Sequence, residues 1–537
     1  MKTDMKKILI PVLSLLMAAF AVSCTPQEPD YSGMKAVLGI EVADMLDLYE
    51  VNKRQQKTVN LKVAAEAVPG TTLNITLGVN PELVAAYNEA NGKNYEMLPA
   101  EAYSFVDREL MLPRFNKISS LGQINLIGRG CESQKTYLLP VVIEKVDGSD
   151  NFELSETSVA YFVFKMNVPV GGDGSPEDPY LIKDVNDFLT MNDKLLSGET
   201  SYFEMTADID MSGVTDFPLL NPKPYTAGIV FNGKGHKISN YACANALFHV
   251  LNGSFENVVF ENAAVGTGAA ETAIISKYLG YVDSGKPVPG IVKNIVFREC
   301  KLSGGNLSGM VAGYAYNATV ENVYAENCEV TLTGRRHAAF IGRVVADTEL
   351  KNCYMKGGKI TGGTQQVGGL VGENLQTNLK MTYCGISAEL TGNRAIGPIL
   401  SYSNGTPAEG TTEPLGSSVI ENCIVWTPSI LSSATQAQYS SGAVVGCAYL
   451  HPVTYKNNLR RADFEFVDFK DAPDQNPLRD MADILGTACP GGPVSNAYNY
   501  AYHGKAAAAG VTASQAAKQL GWDEAIWDLS GAEPMLK

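Results

Sequence analysis

The chain has 537 residues, 45% of them hydrophobic and 18% charged, with 51 glycines and a formal charge of −15. That length exceeds one ordinary core, and the composition is that of a folded protein of two or more domains, not a disordered one. The acidic balance and the absence of a Lys/Arg block of five or more argue against nucleic acid as a partner.

Residues 1–23 join a basic start, Lys2, Lys6 and Lys7, to the apolar run Ile8–Val22. The run is too short and too early for a membrane-spanning anchor and reads as an export signal. It ends AAFAVSC, with small residues before Cys24. This resembles a bacterial lipoprotein signal, which implies acylation of Cys24 as the mature N-terminus; the plain alternative is a secretory signal cut near Ser23. The following TPQEPD resembles the acidic flank that sends Bacteroidetes-type lipoproteins to the outer face of the outer membrane. The expected address is therefore an outer membrane, lipid-anchored, on its extracellular side.

After a linker (24–35), residues 36–167 read as an all-β unit. Alternation in Val59–Val68 and Leu73–Val79, and the run Tyr137–Val146, give strands separated by turn residues. Their size and spacing predict an immunoglobulin-like sandwich. The phrases VNPELVAAYNEANGKNYEMLPAEAY (Val79–Tyr103), YLLPVVIEKVDG (Tyr137–Gly148) and AYFVFKM (Ala160–Met166) resemble the N-terminal domain of unknown function of glycan-foraging Bacteroidetes lipoproteins and endo-glycosidases. That resemblance implies a spacer or binding domain in a glycan-acquisition system and carries over no catalytic residue.

A Gly-, Pro- and acid-rich linker (168–180) follows. Asp184 can then cap a helix from Val185 to about Leu196 that covers the first coil of what comes next. From Ala246 to Gly446 the chain repeats itself in three signals. One is apolar-x-Asn-apolar-apolar, as in FENVVF (Phe255–Phe260), VKNIVF (Val292–Phe297), VENVYA (Val320–Ala325), LKNCYM (Leu350–Met355) and IENCIV (Ile420–Val425), with LKMTYC (Leu379–Cys384) as a variant carrying Met381 for Asn. Another is a Ser/Thr-Gly turn at Gly304, Gly334, Gly362 and Gly392, read as positive-φ glycines stacked in one file. The last is a short apolar run among small residues, GMVAG, AAFIG, GGLVG and GAVVG. A short fixed period means stacked units that bury a face only against their neighbours. Three short strands per unit and no amphipathic helix predict a β-solenoid over 181–450, with C-terminal coils and a cap over 451–537. The run and its GGLVG phrases resemble the GLUG-motif regions of bacterial surface proteins, which implies a right-handed parallel β-helix. The fold class expected is all-β: a sandwich, then a parallel β-helix with short capping helices.

Charge at one repeated place (Glu256, Lys293, Glu321, Lys351, Glu421, and Lys380 in the variant) marks a solvated face, and repeated Asn marks a bend. Nine cysteines follow Cys24, several in register, Cys300 with Cys328 and Cys353 with Cys423, as small coil fillers. No CxxC or His-rich pair suggests a zinc site, and no cofactor is expected. A glycosidase needs two carboxyls with opposed pKa values, yet the acids here recur with the repeat, so no catalytic residue is named. Binding leaves better traces. Tyr324, Tyr354 and Tyr383, two residues after the Asn position, form a ladder of flat faces suited to sugar rings. Arg335, Arg336, Gln365, Gln366 and Arg394 form a polar strip past the turn glycines, able to fork onto carboxylates or sulfates. A packed ladder and a merely solvated corner are the bland readings of both, and packing against the last coil is the reading for Trp522 and Trp527. The expected function is a non-catalytic surface lipoprotein that binds an oligo- or polysaccharide beside an outer-membrane glycan transporter complex. An adhesin or stalk contacting host or neighbouring-cell proteins, and a glycan-cleaving β-helix enzyme, are the rival expectations.

Overall fold

The computed structural model describes residues 30–537 apart from 32, 43–48, 52–55, 129, 133–134, 167–171, 223–226, 267–270, 284–285, 394, 407–408, 410–414, 433–440, 450, 452, 468–487 and 490–499. Cys24 and Arg394 therefore lie outside the described residues. The chain divides into two compact units, Met1–Asp173 and Gly174–Lys537.

The first unit is the expected two-sheet sandwich. Ala36–Val42, Lys57–Ala67, Tyr103–Asp107, Gly122–Leu126 and Phe152–Leu154 form one sheet. The other is built from Tyr49–Val51, Leu73–Val79, Glu109–Leu112, Thr136–Asp147 and Val159–Met166. Alternate residues of both sheets, among them Leu38, Leu61, Val63, Ile75, Leu139 and Phe162, close a single core. The phrase around Tyr87 is a helix, Leu83–Asn91, stopped by Gly92 in the left-handed region at φ 61°. Asn88 then ties the chain down: its side chain donates to Tyr95 O at 2.8 Å and accepts from Tyr95 N at 3.0 Å.

The second unit is a parallel β-solenoid with three faces. Face 1 is a 17-stranded sheet that includes Gly253–Glu261, Gly290–Arg298, Ala318–Glu326 and Thr348–Lys356. Face 2 has eight strands, among them Lys301–Gly304, Glu329–Leu332 and Lys359–Thr361; face 3 has eight, among them Ser276–Leu279, Ala312–Ala315, Ile341–Val344 and Val371–Leu375. The interior is filled by files of equivalent residues. One runs Phe255, Val292, Val320, Leu350, Met381, Ile420. Rings stack where the file is aromatic, as for Phe231 on Phe255 at 4.9 Å and Phe260 on Phe297 at 5.3 Å.

Each face 1 strand bends at its Asn. Asn257, Asn294, Asn322, Asn352, Asn422 and Asn457 all hold φ between 53° and 59°. Asn reaches this region more cheaply than other side-chain residues. Their amides also bond to one another from rung to rung, at 2.8 Å for Asn294 to Asn257 and Asn322 to Asn294, and 3.0 Å for Asn352 to Asn322. The variant phrase is shifted by two residues from the sequence reading. Met381 pairs with Leu350, so Tyr383, at φ 55°, takes the Asn place and the amide ladder breaks there. Cys384 thereby joins Cys353 and Cys423 in one file; each thiol lies within 3.6–3.8 Å of a carbonyl one coil earlier.

The turn glycines are a correction. None of Gly304, Gly334, Gly362 and Gly392 has a positive φ; the left-handed corner residues are Leu307, Arg336, Gln366 and Ala395. The glycines are there for room: a Cβ on Gly362 would lie 2.2 Å from Val367 Cγ2, and one on Gly334 would lie 2.2 Å from Asn306 Oδ1. They are not one file either. Gly304 is opposite Leu332, and Thr361 is opposite Thr391, which brings Gly362 beside Gly392 and leaves Gly334 two residues late.

The starting edge is covered, as an exposed sheet edge requires. At the start, Asp184 caps Val185–Leu189 by accepting from Asn186 N and Asp187 N; a 3₁₀ turn, Met191–Lys194, replaces the rest of the expected helix. Phe188 reaches Phe217 at 5.3 Å and Phe231 at 5.9 Å. Near the C-terminus, Thr512 and Gln515 form a capping box on the helix Ala513–Gln519.

Candidate functional site

The helix Ala513–Gln519 and the segment after it lie on the outer side of face 1. Ala513, Ala516, Ala517, Trp522 and Trp527 cluster with Tyr324, Tyr354, Ile424 and Leu459. Trp527 sits 6.3 Å from Tyr354, whose hydroxyl donates to Glu533 at 3.1 Å. Trp522 Nε1 donates to Asn422 O at 2.9 Å. Tyr324 and Tyr354 are in register but 3% and 0% exposed, and Tyr383 packs at the cluster's margin from the Asn place, Gly385 taking the Tyr354 file on its coil. Their place after the bend faces outward, and the C-terminal segment covers it. The ladder is a docking surface for the chain's own tail and offers no open platform for a sugar.

The polar strip is half kept. Arg335 and Gln365 pair in register on the short strands Arg335–His337 and Gln365–Gly368, with Arg335 exposed and Gln365 partly so. Gln366 is 4% exposed and turns inward, a correction to its expected role. Arg336 leaves the strip as well: its Nε meets Glu373 Oε2 at 2.8 Å.

That contact leads to a face the repeat pattern does not announce. Tyr278, Tyr314, Arg343, Glu373 and Tyr402 occupy one file of face 3. Tyr278 and Tyr314 stack at 5.3 Å with their planes 8° apart, and Tyr316 tilts against both at 6.4 and 6.2 Å. All three rings are partly exposed. Tyr278 Oη donates to Glu271 Oε2 at 2.8 Å. Burial, and then that carboxylate, push the Tyr278 phenol well up; burial does the same to Tyr314 and Tyr316, so all three remain neutral donors. Beside them the Glu373 carboxylate, 1% exposed, takes Arg336 and Arg343 through Nε, the second at 2.5 Å. One buried carboxylate thus accepts a hydrogen bond from Arg343 Nε and holds Arg336 beside it as an ion pair.

The glycine phrases make this arrangement possible. Gly313, Gly342 and Gly372 lie under the corner segments: a Cβ on Gly342 would come within 2.5 Å of Ser308 N, and one on Gly372 within 2.5 Å of Gly342 O. The residue after each of these glycines is Tyr314, Arg343 or Glu373. That position, directly after a glycine that no side chain can replace, is the signal in the sequence that could have found them.

A concave feature of about 440 Å³ crosses four coils at Asn317–Thr319, Asp347–Glu349, Asn378–Lys380, and Ser417 with Val419. Asp347 Oδ1 accepts from Thr377 Oγ1 at 3.1 Å and Asn378 Nδ2 at 3.0 Å, and Glu349 pairs with Lys380 at 3.1 Å. Among the described residues no three His, Cys, Asp or Glu side chains group to hold a metal, and no helix is long and apolar enough to cross a membrane.

The fold and this face define a sandwich-plus-solenoid protein with an aromatic and charged strip on one solenoid face. Residues 41–150 match the model of a domain family described as a "-like, N-terminal domain". A candidate immunoglobulin A1 protease from Bacteroides ovatus is similar at 22% identity and TM-score 0.44, over 68% of this chain and 94% of that one. EndoBT-3987 of Bacteroides thetaiotamicron, solved with a Man5GlcNAc product, is 14% identical with TM-score 0.22, over 38% of this chain and 54% of that one. Halomucin of Haloquadratum walsbyi is 25% identical over 194 residues, 34% of this chain and 2% of that protein's length.

Proposed function

We propose that this chain is a non-catalytic, lipid-anchored protein of the outer-membrane surface that binds an oligo- or polysaccharide and works beside a glycan transporter. The observation that carries the reading is the stacked, partly exposed pair Tyr278–Tyr314, with Tyr316 beside it and Arg336 and Arg343 held by buried Glu373. Flat aromatic faces with hydroxyl tips suit sugar rings, and fixed guanidiniums suit carboxylate or sulfate substituents. The signal ending at Cys24, the family match over 41–150 and the resemblance of the sandwich phrases to glycan-foraging lipoproteins agree with it. Glycan-array and affinity-gel binding by the acyl-free chain tests it. Removing both rings in Tyr278→Ala/Tyr314→Ala is expected to weaken retention about ten-fold or more, each ring contributing on the order of 1 kcal/mol. Retention unchanged in that variant rejects this face as the binding surface.

A further inference from the structure

Of the twelve large apolar side chains exposed among the described residues, seven fall in two stretches of the sandwich, Tyr31 and Met34, and then Val106, Met111, Phe115, Ile118 and Leu121; Tyr31 meets Phe115, and Ser120 N meets Met111 O. Scattered exposed apolar residues need no explanation, but a concentration of this kind marks an interaction surface. Its centre is the loop 113–121. This loop is pinned, since Phe115 N donates to Pro69 O, Ala65 N to Lys117 O, Ser119 N to Val63 O and Ser120 N to Met111 O, all at 2.8–3.0 Å. Phe115 holds φ 61°, a costly conformation for a bulky residue, and still leaves its ring 44% exposed. Arg114 lies over that ring at 5.6 Å, and the loop carries Arg114 and Lys117 with no carboxylate.

The start of the chain says what this surface meets. Tyr31 packs edge-on against Phe115 at 4.8 Å. From Cys24 to Tyr31 is seven residue steps, which span at most about 25 Å. We infer that this apolar, basic-flanked loop rests on the anionic lipid surface that holds the acylated N-terminus, so that the sandwich lies against the membrane in one orientation. The inference builds on the proposed acylation of Cys24. An acyl anchor alone leaves a domain free to swivel; an apolar patch with cationic neighbours inserts shallowly at the headgroup boundary and sets its attitude.

The test takes the chain beginning at Cys24 and couples it through that thiol to a maleimide lipid in phosphatidylethanolamine–phosphatidylglycerol vesicles. Eight of the nine thiols beyond Cys24 are described and buried, and the ninth is removed by Cys489→Ser, so coupling is directed to Cys24. The expected results are slower amide exchange over 113–121 in the coupled state, and blue-shifted emission with quenching by brominated lipid in the F115W protein. Exchange over 113–121 that is the same coupled and free, with unquenched F115W emission, overturns the inference. So does protection that grows with protein concentration in the absence of vesicles, which assigns the patch to a second copy. Chemical coupling bypasses acylation, so these outcomes judge the patch alone; the mass of the Cys24 peptide from native membranes judges the acylation.

Discussion

The two units obey different rules of pairing. In the sandwich, the long strands pair antiparallel, with short parallel partners at Tyr49–Val51 and Phe152–Leu154, and bury alternate residues against an unlike partner sheet, so each core position has its own neighbours. In the solenoid the parallel strands stack most residues of face 1 on their counterparts one coil away. Like then meets like, which suits Phe on Phe and Asn on Asn and penalises charge on charge. The outer file of face 1 answers by alternating sign. Glu256, Lys293, Glu321 and Lys351 are in register, with Lys293 3.0 Å and Lys351 3.7 Å from Glu321. A solenoid sequence is thus constrained along its files, a sandwich sequence around its core.

Three measurements sharpen that contrast, each read on a calorimetric trace in which the two units unfold separately. The largest effect is expected from Trp527→Ala. This removes a fully buried ring of the tail itself, packed on Tyr324 and Tyr354, at a cost of about 3–5 kcal/mol. It should lower the solenoid transition only, whereas Leu61→Ala should lower only that of the sandwich; a single shared transition that both substitutions move would break the two-unit picture.

Acidification comes next. All five histidines lie in the solenoid unit, and burial holds His337 and His451 down to about 4. An unfolded imidazole takes its proton near 6.5, so the unfolded state binds protons first as the pH falls. Stability is fully present above that pH and is lost between about 6.5 and 4, by up to roughly 3 kcal/mol for each group. The solenoid transition should drop between pH 7 and pH 4.5, and His337→Gln should flatten the drop. An equal drop in the histidine-free sandwich would place the cause elsewhere.

The smallest effect concerns the bend. Asn322→Ala breaks the amide ladder between Asn294 and Asn352 and forces alanine to φ 56°, for about 2 kcal/mol in all. Asn322→Gly should recover the backbone part, leaving the amide contribution visible in the difference between the two melting temperatures.

The solenoid was legible because repetition exposes it. The Asn bends, the alternating charges and the Asp184 cap were all readable as spacing and residue type. Register was harder. Tyr383 and Gly334 are each displaced by two residues, since coil length varies and a fixed phrase cannot show a slip. The tyrosine ladder was found but its exposure was misjudged. Whether an outward file is open depends on what folds over it, and here that is a segment at the far end of the chain. The Glu373 cluster escaped because its members differ in kind from coil to coil, tyrosine, arginine and carboxylate at one place, so no pattern of identity announces them.

The tail that covers Tyr324 and Tyr354 also touches Ile424 and Leu459, so one short segment bridges coils more than 130 residues apart. Stacked repeats ordinarily couple only to nearest neighbours and can fray from either end. Here residues 513–536 stitch the middle of the stack to its late coils. A nascent chain lacking them would hold only a row of loosely linked rungs, and proteolytic resistance should arrive abruptly, when the final stitch is drawn.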